Sequence, residues 1–205
     1  MTALSRSKPS MRENTISKNF FVGLSSGASV VISQHAGAQE HEQVSKAVHT
    51  AVFLAVVVGA LTTLLGTTVA PLLLPALNTP EDTMQYSKDY LVWYFAGMIP
   101  SMIYNMGSGI LRALGDSRAT LYFLLVSSVL NVVLDLAFVA GLGMGVAGAA
   151  IATVISQIAA CVIGFAYMHR RYALLRFSLR ELRMDLKTAG RILQVGAPMA
   201  IQQSI

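Results

Sequence analysis

The chain has 205 residues, of which 54% are hydrophobic and only 12% charged, with a formal net charge of +5 and a mean hydropathy of +0.59. Soluble domains carry about a quarter charged residues, so this chain lacks the charge to cover itself with a solvated surface, and a lipid bilayer is the alternative solvent. A single cysteine, Cys161, excludes an internal disulfide; no Cys/His cluster has metal-ligand spacing, and Cys161 reads as packing within an apolar run.

A membrane-crossing helix needs about 20 mostly apolar residues, each rising about 1.5 Å. After a polar, basic tail over 1–19, five runs poor in Asp, Glu, Lys and Arg predict helices near 20–38, 49–77, 89–111, 118–140 and 145–168. Ser25, Ser26, Ser29 and Ser33 interrupt the first. Pro71 and Pro75 lie toward the end of the second. The third holds Pro100 at its middle, with Gly107 and Gly109 further on. The fourth contains one acid, Asp135. The fifth is entered through the glycine-rich turn GLGMG at 141–145. A linker over 169–190 follows, and a sixth apolar run over 191–205 is too short to cross. The predicted class is an all-α integral membrane protein, an antiparallel transmembrane helix bundle.

Lys and Arg near helix ends set orientation. With strict alternation, Lys46, Arg112, Arg118 and the segment 169–191, with Arg170, Arg171, Arg176, Arg180, Arg183, Lys187 and Arg191, fall on one side, which is expected to be cytoplasmic. Lys88 stands on the other beside Glu81, Asp82 and Asp89. Alternation puts the basic N-terminal tail outside, so a further helix is expected to precede the first run, with 1–19 a non-native start. Leu175, Leu179, Leu182 and Leu186 recur every three or four residues in the linker. That stripe suits either a helix on the inner membrane surface or a solvated connector. Orientation already accounts for the basic residues, so nucleic acid is not an expected partner.

Asp135 is the most informative residue. An acid within a membrane helix is costly unless it faces protein or water, and is by default a candidate for ion or proton handling; the alternative is a hydrogen bond to a neighbouring helix. Asn131, four residues earlier, shares its face, and Ser127 and Ser128 extend the polar stripe. Hard cations take oxygen ligands, so the pair forms part of a small site that another helix must close. The fifth run offers Ala149, Thr153, Gln157, Ala160 and Gly164 along one stripe. Its short connection makes it the antiparallel neighbour, with Thr153 close to the depth of Asp135. Plain helix packing is the alternative. Met98, Met102 and Met106 recur every fourth residue in the third run and either line a pocket or pack the core. Met98, Met102, Asn105 and Gln157 are the candidate substrate-cavity residues. His35, His41, His49 and His169 show no metal spacing, and no nucleophile–base pair, HExxH or phosphate loop occurs, so an enzyme is not expected.

GASVVISQHAGAQ at 27–39, ILRALGDSRATLY at 110–122, NVVLDLAF at 131–138, GVAGAAIATVISQ at 145–157 and GAPMAIQQSI at 196–205 together resemble, in order and spacing, the second to seventh helices of multidrug and toxic compound extrusion (MATE) transporters. The resemblance implies an incomplete N-terminal lobe of a two-lobe transporter that exports cationic or amphipathic small molecules against inward sodium ions or protons, with no other cofactor. It implies that Asn131, Asp135, Thr153 and the Ala149 carbonyl form the coupling site, where sodium would meet Asp135, Asn131 and Thr153. Alternating access needs both lobes, so the chain alone is expected not to transport. Two other readings remain: a flippase of lipid-linked precursors from the same superfamily, whose cavity would be basic, and a membrane module that does not transport.

Overall fold

The computed structural model describes residues 8–76, 81–172 and 184–202. Every regular element among them is helical: α1 Lys8–Gly37, α2 His41–Ala76, α3 Glu81–Ala96, α4 Met98–Ala113, α5 Ser117–Asp135 with a π-helical end Leu136–Gly141, α6 Gly145–Arg171 and α7 Leu186–Gln202. Three stretches are long and apolar enough to cross a membrane, His41–Val69 in α2, Ser117–Gly141 and Gly145–Arg171.

The first expected helix begins earlier than its apolar run. Pro9 occupies the first turn of α1, where its missing N–H costs nothing, and no glycine or proline follows until Gly23, so the polar segment from Lys8 is helical too. Two of the serines that interrupt the run are used by a neighbouring helix. Ser25 and Ser29 donate to the carbonyls of Asn105 and Gly109 on α4, each at 2.7 Å. Gly109 admits this approach, since a Cβ there would lie 2.5 Å from Ser25 Oγ.

The third expected helix is two helices, each of 16 residues, meeting at Gly97. Pro100 is the cause but not the break. Lacking an N–H, it leaves the Ala96 carbonyl without its usual partner four residues on, and the chain turns at the glycine just before. Gly97 N–H still bonds to Trp93 O at 3.0 Å. Thr63 of α2 donates its hydroxyl to Phe95 O at 2.7 Å, which fixes the end of α3.

α4 ends in a Schellman motif: Asp116 N–H bonds to Leu111 O at 2.9 Å and Gly115 N–H to Arg112 O at 3.0 Å, with Gly115 at φ +82°. The glycine-rich turn before α6 places Gly143 and Gly145 at φ +66° and +55°. Within α5, the helix widens after Asp135 into a π-helical turn, an arrangement often found at functional sites.

The linker's leucine stripe falls largely outside the described residues; Leu186 alone is described, exposed in the first turn of α7. α7 starts before the apolar run because Asp185 caps it, accepting the Thr188 N–H at 2.9 Å and hydroxyl at 2.6 Å. α7 packs against α1 backbone to backbone. A Cβ on Gly27 would lie 2.5 Å from Ile192 O, and one on Gly196 would lie 2.9 Å from Gly23 O. The core centres on Ile32, Met102, Met106, Ile110, Leu111 and Ile192, all buried.

Candidate functional site

α5 and α6 run antiparallel from the turn at 141–145, and polar side chains bridge them. Ser127 donates its hydroxyl to Ser156 O at 3.4 Å. Asn131 Nδ2 donates to Thr153 Oγ1 at 3.3 Å, and Thr153 donates in turn to Ala149 O at 3.0 Å. Three of the four expected coupling residues are thus joined in one chain of hydrogen bonds. The fourth, Asp135, lies one turn beyond Asn131 at the junction with the π-helical segment. Its Oδ1 is shielded from solvent and has no hydrogen-bond partner. A buried carboxylate oxygen without a donor is expensive and is a natural seat for a proton or a small cation. Ser128, also expected on this stripe, is exposed.

Beside this bridge lies a cavity of about 450 Å³ between α1, α3, α4 and α6. Met98, Ser101 and Asn105 line it from α4, Ala149, Thr153 and Gln157 from α6, and Tyr90 and Tyr94 from α3. Thr153 therefore belongs both to the bridge and to the cavity wall. Three of the four expected cavity residues, Met98, Asn105 and Gln157, line it. Met102 does not: it is 2% exposed and belongs to the core with Met106. The tyrosines were not anticipated. Their rings stack with centroids 6.0 Å apart, and the four-residue spacing that puts them on the cavity face was the available signal. Ser101 and Asn105 have the same spacing and are tied by Asn105 Nδ2 donating to Ser101 O at 2.8 Å. Among the described lining residues there is no acidic or basic side chain.

At the other end of α5, Asp116 caps the helix by accepting the Ala119 N–H at 3.1 Å. The hydroxyls of Tyr167 and Tyr172 donate to its second oxygen at 2.7 and 3.1 Å. The Tyr167 hydroxyl is the main reason the Asp116 carboxyl sits below the usual carboxylate range, with the helix cap adding to it. Burial, then the bond to Asp116, pushes the Tyr172 phenol up to about 12, so it stays a donor at any physiological pH. Among the described residues no group of three or more His, Cys, Asp or Glu could hold a metal ion.

A family model described as MatE matches residues 11–137. The "Probable multidrug resistance protein YpnP" of Bacillus subtilis (strain 168) is 32% identical over 187 residues, covering 91% of this chain and 42% of that protein. The "Probable multidrug resistance protein YoeA" of the same organism is 30% identical over 190 residues, covering 89% of this chain and 41% of that protein. A solved inward-facing multidrug resistance MATE family transporter of the MOP superfamily superposes with a TM-score of 0.84 at 26% identity, over 94% of this chain and 44% of the other. The chain therefore spans less than half the length of the curated relatives it matches. With most of its length matched by the family model and its helices superposing on a solved member, the chain belongs to the MATE family, whose members are membrane transporters and not enzymes.

Proposed function

We propose that this chain forms part of the N-terminal lobe of a secondary active antiporter. The whole protein exports drugs or cationic amphipathic compounds across the plasma membrane in exchange for sodium ions or protons. The observation that carries this reading is the Asn131–Thr153–Ala149 bridge beside the shielded, partnerless Asp135 Oδ1. Asp135 lies one turn from Asn131, whose partner Thr153 forms part of the cavity wall, so the proposed ion site and the cavity share one side chain. The aromatic and methionine-bearing walls suit amphipathic aromatic substrates, with tyrosine faces available to a cation. The lipid-precursor flippase is less favoured because no Lys or Arg is among the described residues that line the cavity. The multidrug-resistance names of the relatives point the same way. The segment between α6 and α7 is assigned to the cytoplasmic side by its basic residues.

The test is Asp135→Asn in the transporter that carries this chain with its second lobe, assayed as drug efflux from vesicles against an imposed sodium or proton gradient. Ion-dependent efflux should fall at least tenfold, about 1.4 kcal/mol in the coupling. Efflux that keeps its full ion dependence removes Asp135 from the mechanism.

A further inference from the structure

Nothing in the proposed transport cycle so far uses Asp116, yet it closes the α5–α6 hairpin at the end opposite the 141–145 turn. One carboxylate oxygen caps α5 and the other receives two hydroxyls from the last turn of α6 and the residue after it. Hydrogen bonds to an ionised acceptor are roughly twice as strong as neutral ones. Tyr167 also meets Phe123 of α5 edge-on, with centroids 5.5 Å apart.

From this clamp the contacts between the two helices keep one register. Ser127 lies eleven residues beyond Asp116, and its partner Ser156 lies eleven before Tyr167. Asn131 follows four residues on, and Thr153 three residues back. One more turn sets Asp135 level with Ala149. Between these rungs α6 presents Ala152, Ala160 and Gly164, all buried. Small residues permit close approach in a membrane but provide no large knob to stop one helix sliding along the other. A slip of one residue is about 1.5 Å, enough to carry the 3.3 Å Asn131–Thr153 contact beyond hydrogen-bonding range.

We propose that Asp116 is a positioning residue for the coupling site: by gripping Tyr167 and Tyr172 it sets the axial register of α5 against α6 and so holds Asn131 and Asp135 level with Thr153 and Ala149. The site lies about 22–28 Å away along α5, and two rigid helices carry the constraint over that distance. The proposal rests on the ion-coupled reading for its consequence, though not for the register itself.

The experiment uses the transporter with its second lobe in proteoliposomes. The variants are Asp116→Asn, which loses the charge but keeps a cap acceptor, and Tyr167→Phe with Tyr172→Phe, which keeps the cap and removes the grip. Two quantities are read. The first is the half-saturating ion concentration for efflux, separately from the maximal rate. The second is the oxidative cross-linking yield of a Ser127→Cys/Ser156→Cys pair in a Cys161→Ser background, since a disulfide forms only with Cα atoms within about 7 Å. Both variants should raise half-saturation about fivefold or more, leave the rate at saturating ion nearly unchanged, and lower the cross-linking yield. Single Tyr172→Phe, which keeps the shorter bond, should largely restore both. An unchanged half-saturation overturns the proposal, whatever the maximal rate does, because a merely structural brace would lower the amount of working transporter and not its ion affinity. If Asp135→Asn leaves ion dependence intact, the ion reading fails separately; cross-linking then decides, and an undiminished yield in the double Phe variant overturns the register role.

Discussion

Asp116 shows how a single carboxylate can join distant parts of the chain, with partners three, 51 and 56 residues away. Its carboxyl is held below the ordinary value of 3.8, chiefly by the Tyr167 hydroxyl. A depressed carboxyl contributes stability that is complete above its unfolded value and is lost as pH falls through the lower folded value. The melting temperature of detergent-purified protein should therefore drop as pH is taken below about 4, and Asp116→Asn should flatten that part of the curve. Superimposable acid limbs for the two proteins would show that the carboxylate gains nothing from its partners. At the same scale, the sequence made some residues legible and hid others. Asn131 and Asp135 stood out because an acid and an amide one turn apart are costly in lipid, and a short turn placed Thr153 at the same depth. Asp116 did not stand out, because its tyrosine partners lie a whole helix away and only packing brings them back. Met102 misled for a related reason: a four-residue methionine stripe marks one face of a helix but does not say whether that face meets a cavity or the core. Here the same face does both, Met98 at the cavity and Met102 in the core.

At the scale of elements, composition located the helices while their ends depended on local chemistry. α7 begins at a cap, Asp185 with Thr188, within a segment that its sequence suited to either a surface helix or a solvated connector. The third apolar run broke because Pro100 removes a donor, but the turning residue was the glycine before it, and a proline in the first turn of the new helix is well tolerated. The first run owes its place to contacts invisible in a hydropathy profile: serines on α4 carbonyls and glycines against α7. That seam is demanding. A Cβ on Gly27 would come within 2.5 Å of Ile192 O and 2.7 Å of the Gly196 backbone, neither of which can rotate away. Gly27→Val should cost about 1–3 kcal/mol by overpacking, seen as a lower unfolding temperature in lipid nanodiscs. Gly190→Val, at a glycine with open space around it, is the matched control and should cost nothing, because valine has a slightly better helix propensity than glycine. Equal losses would mean that the α1–α7 contact is not close-packed.

For the whole molecule, the bilayer explains a surface that water could not. Leu121, Leu124, Leu125, Val129, Val132 and Val133 form an exposed apolar side of α5, while its Ser127 and Asn131 turn toward α6. Val129→Arg should disfavour membrane insertion by about 2.5–3.5 kcal/mol, the cost of a cation near a helix centre, and reduce the integrated fraction in a translocon insertion assay. Unimpaired integration would place that side against protein. The interruption at Gly97 has a consequence at this scale as well. Tyr90 and Tyr94 stand before it, Ser101 and Asn105 after it, so walls of one chamber belong to two helices joined at this glycine. The second is embedded through Met106, Ile110 and Leu111. The first is tethered at its tip by a threonine hydroxyl. Swinging the aromatic rod about a lone glycine would change the bore of the chamber while leaving the buried packing beneath it undisturbed, letting one scaffold fit guests of unequal girth.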